Sequence, residues 1–143
     1  MHISLVHEVS DELVAAFKTL VPQLSSSAAA PTRAELEEIA RNESLFVARE
    51  PGPEGAIVGS LTLATFRIPT GVRAWIEDVV VDESARGKGA GEALTRAALE
   101  RARELGAKTV DLTSRPTREA ANRLYQRVGF QLRHTNLYRY DLE

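Results

Sequence analysis

Apolar residues recur along the chain with two different periods, and these periods divide it into predicted helices and strands. Four segments have apolar side chains every three to four residues, which is typical of helices with one buried face. These predicted helices cover residues 10–21, 32–40, 89–105 and 117–128. Runs of strand formers predict strands at residues 2–8, 45–49, 56–66, 73–81 and 108–112, and a last strand or hairpin at 130–141.

Local signals mark the ends of the predicted helices. Pro22 is expected to end the first helix, because proline cannot donate a helical hydrogen bond. Thr32 and Glu35 have the spacing of a capping box and predict the start of the second. The third and fourth helices are each followed by a glycine that can end them, at Gly106 and Gly129.

The order of the predicted elements is β-α-α-β-β-β-α-β-α-β. Three consecutive strands joined by proline- and glycine-containing turns indicate an antiparallel meander. The strand after the third helix is expected to return parallel to the strand before it, as a βαβ unit requires. The sequence therefore predicts an α/β fold with a mixed sheet and helices on both faces, and 143 residues are expected to form one domain.

Composition narrows the possible functions and predicts a cytoplasmic location. No apolar run approaches the ~20 residues that span a bilayer, and the N-terminus does not resemble a signal peptide. The chain has no cysteine, which excludes disulfides and thiolate catalysis. Its three histidines are scattered without metal-ligand spacing, so no metal site is expected.

Charge and glycine content single out residues 86–91 as a candidate phosphate site. Residues 1–81 carry 6 basic and 11 acidic side chains, whereas residues 82–143 carry 12 basic and 9 acidic ones. The second half therefore favours an anionic ligand, although it has no basic stripe interleaved with aromatic residues that would suggest nucleic acid. Gly87, Gly89 and Gly91 follow a strand and open a helix, a place where main-chain amides can bind phosphate. Their spacing fits neither a P-loop nor a dinucleotide-binding turn.

Two segments carry a resemblance to a known family. Arg-Gly-x-Gly-x-Gly over residues 86–91, after an apolar strand, resembles the pyrophosphate-binding sequence of the GNAT superfamily of acetyl-CoA-dependent N-acetyltransferases. Residues 122–130 are similar to that family's Asn-x-x-Tyr-x-x-x-Gly-Phe segment. The order of predicted elements also resembles the GNAT order, so the resemblance covers essentially the whole chain.

The resemblance implies roles for particular residues. The main chain of the strand before the turn would bind the pantetheine arm of acetyl-CoA, and the turn would bind the pyrophosphate. The implied acetyl-CoA-binding residues are Val79, Val80, Val81, Arg86, Gly87, Lys88, Gly89, Ala90, Gly91 and Asn122. Tyr125 would be the general acid that protonates the departing sulfur. Its alternative role is that of a core aromatic residue.

Two adjacent carboxylates, Glu77 and Asp78, lie within a predicted strand, which is an unfavourable place for charged side chains. Some family members use a glutamate in a similar Ile-Glu-Asp run as the base that deprotonates the amine, directly or through water. The resemblance therefore predicts Glu77 as that base, with Asp78 or water as the alternatives. Alternatively, one carboxylate pairs with Arg73 or Arg67. Strict alternation would place Glu77 on the same face as Val79, whereas a bulge near this point would alter that arrangement.

The resemblance implies direct transfer of an acetyl group from acetyl-CoA to a primary amine, and the absence of cysteine and of a Ser-His pairing favours that route. A small amine, an amino sugar and a protein N-terminus all stay open as acceptors, as does a homodimer. Neither nucleic acid nor membrane is expected as a partner. The alternative function is a non-catalytic CoA-binding sensor or interaction module of the same fold.

Overall fold

The computed structural model describes residues 1–143, which form two compact units, Met1–Thr113 and Ser114–Glu143. The first unit contains five strands: β1 (His2–Leu5), β2 (Ser44–Glu50), β3 (Ala56–Ile68), β4 (Gly71–Val81) and β5 (Ala107–Asp111). Its helices are α1 (Asp11–Leu24), α2 (Arg33–Asn42) and α3 (Ala90–Glu104), with a short 3₁₀ turn at Glu83–Ala85. The second unit contains α4 (Glu119–Val128). None of the helices is both long and apolar enough to cross a membrane.

The five strands form one mixed sheet in the order β1-β2-β3-β4-β5. The first four pair as antiparallel neighbours, and β4 pairs with β5 in parallel. Because α3 connects β4 to β5, these three elements form the βαβ unit. The predicted meander, the parallel return and the mixed α/β class are therefore confirmed.

Alternation along β2 explains why helices cover both faces of the sheet. Leu45 and Val47 belong to a buried cluster that includes α1 and α2 side chains, namely Leu13, Phe17 and Leu36. Ser44, which precedes Leu45, faces the other way, since the Arg101 Nε of α3 donates to its Oγ at 3.2 Å. Helices α1 and α2 thus pack on one face and α3 on the opposite face.

The helix starts predicted at residues 10, 32 and 89 are confirmed. Thr32 and Glu35 form the complete capping box. The start predicted at residue 117 is wrong, because α4 begins at Glu119 after Arg118 and has no side-chain cap.

The predicted end of α1 at Pro22 is also wrong. Helix α1 continues through Pro22 to Leu24, and the Ser25 amide still donates to the carbonyl of Val21. A proline in the last turn removes only one helical hydrogen bond, so packing and the neighbouring bonds hold the turn together.

The predicted last strand or hairpin at residues 130–141 is also wrong. The chain after Gly129 has no strand, and the sheet ends at β5. Beyond Phe130, its large apolar side chains are between 66 and 92 % exposed: Leu132, Leu137, Tyr138, Tyr140 and Leu142. An alternating pattern favours extended backbone, but a strand also needs a neighbour that accepts its hydrogen bonds.

Candidate functional site

Strands β4 and β5 separate partway along their length, which leaves one edge of β4 free. Their parallel register ends at the pair Trp75–Asp111. Beyond this point β4 continues to Val81, paired only with β3. The other edge of residues 76–81 therefore lacks a strand neighbour.

A β-bulge lies in this free part of β4 and changes which side chains share a face. Thr62 pairs with Glu77 and Ser60 with Val80, so the single residue between them on β3 faces two residues of β4. The second carboxylate, Asp78, occupies the bulge with a φ of 50°. The face that carries Glu77 consequently continues at Val80 and not at Val79, so of the two alternatives that the sequence left open the bulge is the one that occurs.

The register also determines the direction of main-chain groups after the bulge. The Asp82 amide donates to the carbonyl of Val58 at 2.7 Å, so Val80, two residues earlier, also directs its main-chain groups towards β3. Val81 lies between them and directs its groups to the free edge, where its carbonyl accepts from Arg86 Nε at 3.2 Å. Of the three valines implied to bind pantetheine, Val80 is therefore the one turned away from that edge.

The segment Arg86–Gly91, called the glycine turn below, leads from β4 into α3. Gly87 and Gly89 have φ values of 80° and 88°, in the left-handed region that favours glycine. A Cβ atom built on either residue would meet nothing within 4 Å, so this side of the turn is open. Lys88 is exposed, with its Nζ 3.4 Å from Glu50 Oε1.

Helix α3 begins at the glycine turn without a side-chain cap. Its N-cap residue is Gly89, whereas Ser10 and Thr32 each accept a hydrogen bond from the first turn of α1 and α2. The first amides of α3 are thus left without a capping side chain, and the positive end of the helix dipole lies behind them. This arrangement favours an anionic ligand such as phosphate.

Asp82 fixes the backbone just before the glycine turn. Its Oδ2 accepts from both the amide and the hydroxyl of Ser84, and its Oδ1 accepts from Gln23 of α1 at 2.7 Å. These hydrogen bonds, first those from Ser84, hold the pKa of Asp82 below its usual value. The carboxylate is therefore ionised at neutral pH and serves a structural purpose.

Glu77 and Asp78 are both exposed, and neither forms an ion pair or a side-chain hydrogen bond. Neither Arg73 nor Arg67 pairs with these carboxylates: Arg73 donates to the hydroxyl of Thr70, and Arg67 forms no ion pair. The bulge thus presents two adjacent carboxylates without protein partners. No cluster of histidine, aspartate or glutamate side chains in residues 1–143 could hold a metal ion.

In the second unit, α4 carries Asn122 and Tyr125 one turn apart. The Asn122 amide donates to the carbonyls of Arg115 and Arg118, each at 2.9 Å, so it fixes the turn before α4. The ring of Tyr125 is 9 % exposed and packs edge-on against Phe130 at 5.8 Å.

The Tyr125 hydroxyl forms no hydrogen bond within the protein, and it is not one of the fully buried unpaired atoms. Burial of the ring raises the pKa of Tyr125, and the charge of Arg118 opposes this in part. The phenol is consequently protonated throughout the neutral range and free to donate. Tyr125 is thus a packed aromatic residue whose hydroxyl stays available.

Comparison with known proteins identifies the class to which this fold and turn belong. The sequence pattern of the Acetyltransferase (GNAT) family matches residues 7–130. The chain therefore belongs to the GNAT family of acetyltransferases, a family that uses acetyl-CoA.

Individual relatives give a consistent assignment to this family. The chain is 34 % identical over 113 residues to a rice (Oryza sativa subsp. japonica) protein named "Probable glucosamine 6-phosphate N-acetyltransferase 2". That match covers 76 % of this chain but 66 % of the relative, slightly under two thirds of its length.

Two solved structures extend the comparison. An acetyltransferase of Trypanosoma brucei is 29 % identical, with a TM-score of 0.76 and coverage of 98 % of this chain and 99 % of the other. A protein of Bacillus halodurans C-125 described as a transcriptional regulator is 27 % identical, with a TM-score of 0.77 and coverage of 98 % and 100 %.

Proposed function

We propose that this GNAT protein is an enzyme that transfers the acetyl group of acetyl-CoA directly to a primary amine. The observation that carries the proposal is the uncapped start of α3 at an open glycine turn, directly after the free edge of β4. The free edge and the glycine turn follow one another along the chain, so together they suit a long ligand with a pyrophosphate at one end and amide groups along its arm. Arg86 and Lys88, both exposed, add positive charge beside the turn.

Acetyl-CoA would supply an activated thioester, and residues 1–113 offer the groups that could hold it. Main-chain groups of Val79 and the amide of Val81 would bind the pantetheine arm, as a further strand would, while the Val81 carbonyl accepts from Arg86. The amides of Gly89, Ala90 and Gly91 would bind the pyrophosphate. Asn122 would be a further CoA contact through its side-chain oxygen, because its nitrogen already donates to the carbonyls of Arg115 and Arg118.

Two proton transfers complete the proposed reaction. Glu77 would accept a proton from the amine, and its exposure without an ion-pair partner leaves the carboxylate free to do so. Tyr125 would donate its phenolic proton to the departing thiolate. This role follows the family's Asn-x-x-Tyr segment, and the unbonded hydroxyl supports it.

An amino sugar phosphate is the first acceptor to test, because the rice relative is named for glucosamine 6-phosphate. We expect acetyl-CoA to release free thiol when glucosamine 6-phosphate or another primary amine is added, and not without an amine. Thiol release can be followed with a chromogenic disulfide across a panel of amino sugars, small amines and peptides. Comparison of glucosamine 6-phosphate with unphosphorylated glucosamine shows whether the phosphate of the acceptor increases the rate of thiol release.

A second candidate function is a CoA-binding regulator without catalysis, which is favoured by the likeness to the Bacillus halodurans protein. Measured acetyl-CoA binding without thiol release for any amine would favour this candidate over the enzyme.

Replacement of Glu77 with glutamine is expected to lower kcat by about 10²-fold or more, since general base catalysis typically contributes that much. A base must be ionised to act, so a reaction that uses a carboxylate base has an acid limb in its pH profile. The variant should lose this acid limb. The measurement is the pH profile of kcat/KM for the wild type and the variant.

Asp78→Asn is the matched control because it removes the neighbouring charge while asparagine tolerates the left-handed φ of 50°. We expect it to keep the acid limb. Loss of the limb in Asp78→Asn and its retention in Glu77→Gln would assign the base to Asp78 instead.

A further inference from the structure

The side chain of Gln23 connects the end of α1 to the backbone that precedes the glycine turn. Its Nε2 donates to Asp82 Oδ1 at 2.7 Å and to the carbonyl of Thr19 at 3.1 Å. Its Oε1 accepts from the amide of Glu83 at 3.0 Å. Gln23 is half-buried, and both ends of its amide are occupied.

These bonds complete the support of the segment that leads into the glycine turn. The Asp82 amide donates to β3, one Asp82 carboxylate oxygen accepts from Ser84, and the other accepts from Gln23. The side-chain oxygen of Gln23 also accepts a hydrogen bond from the amide of Glu83, the first residue of the 3₁₀ turn. Only Gln23 among these contacts belongs to α1, so it is the one that links this segment to another helix.

We propose that Gln23 is a positioning residue that couples acetyl-CoA binding at the glycine turn to the α1–α2 connection at residues 25–31. The inference rests on the proposed function, because it takes the glycine turn as the pyrophosphate site. The connection begins two residues after Gln23, and the Ser25 hydroxyl accepts from the amides of Ser27 and Ala28 at its start. If α1 holds the glycine turn in its binding conformation, then acetyl-CoA bound at the turn stabilises the C-terminal end of α1 in return.

Gln23→Met tests the positioning role because methionine keeps the length and helix propensity but removes all three hydrogen bonds. We expect acetyl-CoA to bind about 3- to 10-fold more weakly by calorimetry, as expected for a few solvent-competing hydrogen bonds. The kcat at saturating acetyl-CoA should change by less than about twofold, because Gln23 touches no reacting group. If Gln23→Met does not fold, Gln23→Glu removes the donor to Asp82 and serves instead.

Ser10→Ala is the matched control. Ser10 caps the opposite end of α1 through the Leu13 amide, so its loss weakens the same helix without touching the turn. The control should keep wild-type acetyl-CoA affinity. Equal weakening in Ser10→Ala and Gln23→Met would overturn the inference, because it would show a general effect of α1 stability.

Hydrogen–deuterium exchange tests the coupling itself. In the wild type, acetyl-CoA should slow amide exchange both in residues 82–91 and in residues 25–31. In Gln23→Met at saturating acetyl-CoA, protection of residues 82–91 should persist while protection of 25–31 is lost. Persistence of both would overturn the coupling. Failure of the wild type to bind acetyl-CoA at all would instead overturn the proposed function.

Discussion

Replacing Tyr125 with phenylalanine is expected to lower kcat by about 10²- to 10⁴-fold, the usual contribution of a general acid. The KM for acetyl-CoA should change little, because the proton is transferred in the transition state. Stability should be nearly unchanged, since the hydroxyl makes no hydrogen bond within the protein and the ring is kept. Steady-state kinetics and denaturant unfolding of the variant measure these effects.

Two comparisons separate proton donation by Tyr125 from packing. Tyr138→Phe and Tyr140→Phe remove the same hydroxyl from residues that are 87 % and 86 % exposed, and both should keep wild-type kcat. The loss in Tyr125→Phe should shrink with an acyl donor whose thiol is a better leaving group, because that group needs a proton less. Full kcat with both donors would exclude Tyr125 as the acid.

Gly89→Val is expected to weaken acetyl-CoA binding by about 100-fold or more. A side chain at this position would cover the open turn and keep phosphate from the amides of α3, and each charge-assisted hydrogen bond lost costs about 1.5–3 kcal/mol. The change also carries a folding cost. The φ of Gly89 is 88°, and a β-branched residue there costs about 1–3 kcal/mol. Calorimetry and thermal unfolding measure the two effects.

Gly106→Val provides the control for backbone strain. Gly106 follows the C-terminal end of α3 with a φ of 79°, and a Cβ there would also meet nothing within 4 Å. The two variants should lose similar stability, but Gly106→Val should retain acetyl-CoA affinity. Unchanged affinity in Gly89→Val would show that the glycine turn is not the pyrophosphate site.

The sequence by itself determined most of the elements and the location of the glycine turn. Apolar periodicity, the capping box of Thr32 and Glu35 and the glycine after α3 are local signals, set by residues within a few positions of one another. The spacing of glycines in residues 86–91 is equally local, which is why a short segment sufficed to predict a phosphate site and the family. The roles of Glu77, Asn122 and Tyr125 were predicted by resemblance and stay predictions.

Only the tertiary structure decided the features that depend on distant partners. The bulge at Asp78 exists in the register between β3 and β4, and the free edge of β4 arises because β5 leaves it after Trp75. Residues 130–141 have a strand-like pattern but no strand neighbour, so the strand predicted from that pattern does not form. Gln23 meets Asp82 across 59 positions of sequence. Periodicity and propensity act over one or two turns of chain, whereas such contacts form only when the sheet and α1 are already packed.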